Sequence, residues 1–289
     1  MKTILCATDY SDNSVAALKY AYQLARILEG RLLVIHVFDY PTVLGTSVHE
    51  PFPNLEKDAF EEHTLNLRNF CKTHLGKTPG GKGLEIQGIQ HKNVRKAISA
   101  QALETGAYML FVGMKGGSAL REVLMGNTTR KLIAEAPCPV WSVPADASFN
   151  GVGKMVYATD YEVEDVAVLR LLVGLAEPLS STIQLVHIAS EEEYAGVQRK
   201  EWFLAKLKEE FDYQRLAFEE IFSNDIFETL RVYLGDCDAD LAVMLEREYK
   251  SFLDNVFHTD MVRKMERYGR VPLMAFHEKN FKKQLSGKN

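Results

Sequence analysis

The 289-residue sequence has no uninterrupted apolar run near the roughly 18 residues that a membrane-spanning helix needs. It also lacks an excess of positive charge, with 34 Lys and Arg against 39 Asp and Glu and a formal net charge of −5. No basic field is therefore available to release counterions from nucleic acid or to draw the chain onto anionic lipid. The expectation is a chain with neither nucleic acid nor membrane as partner, where a phosphate-bearing ligand would need a local site. Cysteine is scarce: Cys6, Cys71, Cys138 and Cys237 lie far apart with no CxxC or CxxH spacing, which argues for plain thiols in a reducing compartment. The histidines make no metal-ligand spacing either, so no metal site is expected. The stretch Met1–Cys6 meets Asp9 too soon for a secretory signal core, so the expected location is the cytoplasm. Hydrophobic residues at 46% and charged residues at 25% are ordinary globular values, which excludes disordered, collagen-like and coiled-coil chains.

What the sequence does contain is an internal repeat. Ala7-Thr8-Asp9-Tyr10, after the apolar run Ile4-Leu5-Cys6, recurs 151 residues on as Ala158-Thr159-Asp160-Tyr161, after Met155-Val156-Tyr157. At the same offset Val34-Ile35-His36-Val37 matches Leu185-Val186-His187-Ile188. Later, Thr129-Arg130-Lys131-Leu132 pairs with Val262-Arg263-Lys264-Met265, and Pro139-Val140 with Pro272-Leu273, at an offset of 133. Two related α/β domains are expected, residues 1–146 and 153–280, with the boundary in the linker-like stretch Ala145–Gly153.

Within the first copy, short apolar runs alternate with helical periodicity. Ile4–Ala7, Arg31–Val37, Leu84–Ile89, Tyr108–Val112 and Val140–Val143 read as strands. Helices are expected after Ser11 or Asp12, near Leu55–Leu75, after Asn93 and over Thr128–Ala136. Strands separated by helices imply parallel pairing through right-handed crossovers, an open doubly wound sheet covered on both faces. Ligands of such sheets lie beyond the carboxyl ends of the strands, where the strand order reverses.

Three groups converge on that edge: Asp9 at the end of the first strand, Val37 at the end of the second, and a glycine-rich loop after the fourth. The loop runs Gly113-Met114-Lys115-Gly116-Gly117 and, further on, Gly126-Asn127-Thr128-Thr129. Glycine lets a phosphate approach backbone N–H groups, and Asn127 and Thr128 stand where a helix begins, so amides, hydroxyl and helix dipole favour an anion. Lys115 and Arg130 add positive charge. The loop is no Walker turn, since no Gly-Lys-Ser/Thr falls in it, and no dinucleotide fingerprint, since the first strand-to-helix turn has no glycine.

The residues Gly113-x2-Gly116-x9-Gly126 resemble the nucleotide motif of the universal stress protein family, in its tandem two-domain form. Asp9-x-Ser11-x2-Ser14-x2-Ala17-Leu18 is similar to that family's amino-terminal signature, and Pro137-Cys138-Pro139-Val140 to the run into its last strand. The resemblance is strong over 1–144 and weak over 154–278. It implies an α/β fold with two tandem doubly wound five-stranded parallel sheets of order 3-2-1-4-5, the second degenerate. It further implies ATP, accompanied by Mg²⁺, with adenine near Asp9 and Val37 and phosphates on Gly113, Gly116, Gly126, Asn127 and Thr128. Asn127 departs from the usual Ser or Thr.

The second half departs further. At the aligned offsets Gly113 becomes Glu246, Gly116 Tyr249, Gly126 Thr259, Asn127 Asp260, Ser11 Glu162 and Ser14 Asp165. Each exchange adds bulk or negative charge, so nucleotide is expected in the first half alone. The stretch Glu201–Phe222 reads as one apolar-faced helix. A strand ending near Tyr233 lies only seven residues, Leu234–Asp240, from the run Leu241–Leu245, so the third crossover helix is expected to be lost or the pairing altered. Two edge strands, Val140–Val143 and Leu273–Phe276, would join antiparallel as an internal pseudo-dimer; the sequence does not decide whether a homodimer forms on top. His36 and His187 read as packing residues, and Asp9 either contacts ligand or caps a turn. No catalytic base is located. The functional expectation is a stress-response regulator that binds one ATP, hydrolyses it weakly or not at all, and is read by an unidentified protein partner. The alternatives are a nucleotide-free scaffold and a slow ATPase or phosphotransferase.

Overall fold

The computed structural model describes residues 1–39, 53–81, 83–114, 127–189, 196–247, 261–262, 264–265, 268 and 270–280. The first half runs β1 (Thr3–Ala7), α1 (Asp12–Ile27), β2 (Arg31–Phe38), α2 (Pro53–Leu75), β3 (Leu84–Gln90), α3 (Val94–Glu104), β4 (Ala107–Met114), α4 (Asn127–Glu135), β5 (Val140–Pro144). The second runs β6 (Lys154–Ala158), α5 (Val163–Leu179), β7 (Thr182–Ala189), α6 (Gly196–Glu210), β8 (Leu216–Phe222), α7 (Ile226–Asp236), β9 (Leu241–Glu246), β10 (Leu273–His277). Helical residues also occur at 261–262 and 264–265, before β10.

Among the described residues the ten strands form one sheet in the order β3-β2-β1-β4-β5-β10-β9-β6-β7-β8. Each half therefore has the 3-2-1-4-5 order, parallel throughout, and β10 pairs antiparallel with β5 through Met274 opposite Trp141 and Ala275 opposite Val140. Joining the two fifth strands removes two exposed edges, so the ladder of each half ends on the other half rather than in water. One face of the sheet buries Ile4, Cys6, Phe111 and Trp141 with Met155, Tyr157, Val243 and Phe276 beneath α1, α2, α5 and α6. The opposite face buries Leu5, Ile35, Leu110 and Val140 with Val156, Val186, Ala242 and Ala275 beneath α3, α4 and α7. Both cores run through the seam, where Trp141 is fully buried.

Local signals explain the helix starts. Asn93 caps α3, its side chain accepting from the Lys96 amide at 3.1 Å, and Asp225 caps α7 from the Glu228 amide at 3.0 Å. The second half corrects two expectations. Glu201–Phe222 is not one helix: α6 stops at Glu210, and Leu216–Phe222 is the edge strand β8. Its exposure alternates from Leu216 to Glu220, a two-residue period that the neighbouring apolar residues of α6 disguise. The run around Tyr233 is not a strand but α7, with Leu230 and Leu234 buried one turn apart, so the third crossover helix is present.

Candidate functional site

The strand order reverses between β1 and β4, and the groups at the carboxyl ends of these strands face the opening. Tyr10 there has a left-handed backbone, φ 65°, which turns the chain from β1 into α1. Side chains hold the turn: the Thr8 and Ser14 hydroxyls are 2.8 Å apart, and the Tyr10 amide donates to the Thr8 hydroxyl at 3.0 Å. His36 on β2 donates from Nδ1 to the Thr8 carbonyl at 2.8 Å, and its ring lies 4.3 Å from that of Tyr10. Asp9 projects at the exposed rim. Ser11 donates to it from both hydroxyl (2.5 Å) and amide (3.1 Å). Partial burial works against the charge of Asp9, but these hydrogen bonds prevail and hold its carboxyl below the usual range. The carboxylate therefore stays an acceptor.

Val37 lies near the end of β2 on the face shared with Ala7 and Ile89. Gly113, next to last in β4, has a reason of its own to be glycine. A Cβ there would stand 2.5 Å from the Asn13 carbonyl carbon and 2.8 Å from the Ser14 amide, so β4 and the first turn of α1 touch backbone to backbone. The helix α4 begins at Asn127, and Thr128 lies in its first turn. The order of elements sets this helix start at the same sheet edge as Asp9 and Val37. Lys115, Gly116 and Gly126 lie outside the described residues. A groove of about 510 Å³ lies elsewhere, at the amino ends of the strands, lined by Arg26, Glu29, Lys77 and Thr78. It follows the carboxyl ends of α1 and α2, whose partial negative charge disfavours an anion, and Gly76-Lys77-Thr78 there follows a helix instead of opening one.

The second half repeats the turn and alters its contents. Tyr161 has φ 62°, the His187 ring lies 4.0 Å from it, and His187 donates to the Thr159 carbonyl at 2.7 Å. Asp165, however, stands where the first half has Ser14. Its buried carboxylate accepts from Tyr157 hydroxyl (2.6 Å), Thr159 hydroxyl (2.8 Å) and the amides of Asp160 (3.0 Å) and Glu162 (3.1 Å). Burial, then the Asp165 charge, raises the Tyr157 hydroxyl far above its ordinary range and keeps it a donor. Arg247 completes the arrangement, its guanidinium bridging Asp160 and Asp165. The hollow that remains is about 60 Å³, walled by Ile188, Ile226, Leu230, Met244, Met261 and Val262.

Strand register corrects one expected correspondence. Cys6 pairs with Phe111, and its repeat Tyr157 pairs with Val243, so β4 and β9 match at an offset of 132 and not 133. The faces agree, since Phe111 and Val243 lie in one core and Leu110 and Ala242 in the other. A one-residue shift would exchange the faces. Gly113 thus corresponds to Leu245, Glu246 to Met114, and Arg247 to Lys115. Tyr249, Thr259 and Asp260 lie outside the described residues. Two contributors escaped the sequence reading: Ser11 as the group that orients Asp9, and Arg247. The signal for Arg247 was the paired change, a carboxylate gained at 165 and a cation fixed just after the fourth strand.

The model of the Universal stress protein family matches residues 1–144. A universal stress protein of Thermus aquaticus, encoded in the 3′ region of QAH/OAS sulfhydrylase, is 32% identical over 140 residues, covering 48% of this chain and 96% of that protein. Universal stress protein YxiE of Bacillus subtilis is 28% identical over 145 residues, covering 47% and 95%. The crystal structure of a universal stress protein from Archaeoglobus fulgidus is similar over 96% of this chain and 98% of its own. Its TM-score is 0.67 at 14% identity, a likeness of fold alone.

Proposed function

The chain belongs to the universal stress protein family, and from that premise we propose that it is an ATP-binding stress-response regulator whose first domain, residues 1–146, holds one nucleotide. The second domain, residues 153–280, serves as a closed scaffold. The observation that carries this reading is the asymmetry at two equivalent sheet edges. In the first, the exposed Asp9 carboxylate is held by Ser11, and β4 and α1 meet backbone to backbone at Gly113. In the second, the equivalent Asp160 is bound by Arg247 and the remaining hollow of about 60 Å³ is far below the few hundred Å³ of a nucleotide-sized pocket.

In this reading Asp9 and the strand-end backbone at Val37 receive adenosine. The amides of Gly113, Gly116, Gly126, Asn127 and Thr128, with Lys115, would hold the phosphates, and Mg²⁺, when bound with them, would supply charge neutralisation. In this reading occupancy rather than turnover is the signal. A protein partner reads it; a nucleotide-free scaffold is the rival account. Calorimetry with ATP separates the two. One site per chain is expected, abolished by Gly116→Glu with the fold retained. No heat from the native protein would favour the scaffold, and undiminished affinity in the variant would refute the placement.

A further inference from the structure

In the first half a file of rings runs between β2 and α2. Phe60 meets Phe38 edge-on at 5.0 Å, Phe38 stacks on His63 at 4.0 Å, His63 faces His36 at 5.3 Å, and Tyr10 follows at 4.3 Å, itself edge-on to Phe70. Two imidazoles thus stand side by side inside an otherwise neutral stack. His36 spends its Nδ1 proton on the Thr8 carbonyl, which leaves Nε2 as its titrating atom. His63 Nδ1 is buried and has no hydrogen-bond partner among the described residues.

The second half preserves half of this arrangement. His187 keeps its Thr159 bond and its Tyr161 neighbour, but the rings next to Tyr161 are Phe203 and Phe218. The acid Glu220 takes the Tyr161 hydroxyl at 2.9 Å and pairs with Lys200 of α6. A fixed ion pair tethers α6 where α2 relies on stacked neutral imidazoles.

We propose that His36, facing His63 in this stack, is an acid-sensitive latch: while its ring is neutral it holds α2 on the sheet, and proton uptake there loosens α2 while α6 stays closed. A proton on His36 places a cation against a second imidazole in a half-buried stack. Among the described residues, the titratable groups facing the pair are these. Asp9, at the end of β1, favours protonation of His36. Tyr10 stays neutral, its hydroxyl raised to about 12 by burial and by Cys71, and the Cys71 thiol is itself raised to about 12 by burial. His74 lies beyond Phe70 on α2. Burial, with the facing His63, outweighs Asp9 and the Thr8 bond and keeps His36 below the ordinary histidine range. The folded state therefore prefers the neutral ring. The unfolded chain takes up its proton near the ordinary value of about 6.5, so the latch is at full strength above that pH and weakens as pH falls below it.

Hydrogen exchange read by mass spectrometry tests this on the whole chain at pH 7.5 and 5.5, each corrected for intrinsic rates. Opening of α2 peptides should rise about tenfold on acidification, while α6 peptides change less than about twofold. His36→Phe keeps a ring in the stack and removes the titrating group, so the acid response of α2 should vanish. His36→Asn, which can still donate to the Thr8 carbonyl, gives the same expectation if the larger ring fails to pack. Equal acid responses of α2 and α6 in the native protein, or a response that survives in the variants, would overturn the proposal.

Discussion

The two halves share a strand order, a left-handed tyrosine turn and a histidine bonded to a threonine carbonyl, yet the aspartate after the first strand is held by a serine in one half and by an arginine in the other. The difference rests on a few positions. Ser14 becomes Asp165, Gly113 becomes Leu245, and the cation after the fourth strand is Arg247, bound to both Asp160 and Asp165. A carboxylate gained in a fully buried place demands a counter-charge, and the chain supplies it internally. Asp160 alone therefore says little about ligand binding; what its carboxylate is bonded to decides the role. The retained turn is structural in both halves, because each positive-φ tyrosine is held by the same threonine and histidine.

The largest test of this contrast is the plug itself. Arg247→Met strands the buried Asp165 carboxylate and should cost about 3–5 kcal/mol in urea unfolding. Adding Asp165→Ser, which restores the first half's residue, should recover most of that loss. A single-variant loss below 1 kcal/mol would mean that the bridge does not govern this edge. Next comes the close approach in the first half. Gly113→Leu, the residue found at the matching strand position, pushes into the α1 backbone and should cost about 1–3 kcal/mol or more, read as a drop in Tm. An unchanged Tm would show that α1 and β4 do not touch as described. The smallest effects should be equal in the two halves: Asn93→Ala and Asp225→Ala each remove one side-chain cap and should cost about 1 kcal/mol. A cap that matters in only one half would expose a difference in how firmly the third helices are held.

Much of this was legible in the sequence. The repeat set the tandem α/β plan, and the apolar runs set the strands of the first half, because buried parallel strands read as short continuous runs between helical periods. The joining of β5 to β10 followed from two edges that each needed a partner. The second half read poorly where its strand is amphipathic: Leu216–Phe222 continued the apolar residues of α6, and Leu230–Leu234 packed enough apolar residues together to imitate a strand. The register of β9 escaped because a sequence offset cannot see a one-residue insertion, whereas strand pairing and the choice of face can. Of the expected site, Asp9, Val37, Gly113 and the start of α4 share one sheet edge. The plug left only an indirect trace, the carboxylate gained at 165, since Asp165 and Arg247 are 82 residues apart and only folding brings them together.

The account stands most directly on how many nucleotides one chain holds and where. Native mass spectrometry of the protein titrated with ATP, alongside Gly116→Glu and Arg247→Met, measures both. One adenine nucleotide per chain is predicted, absent from the first variant and kept by the second. Two per chain, or one that persists when the first half is blocked, would contradict it.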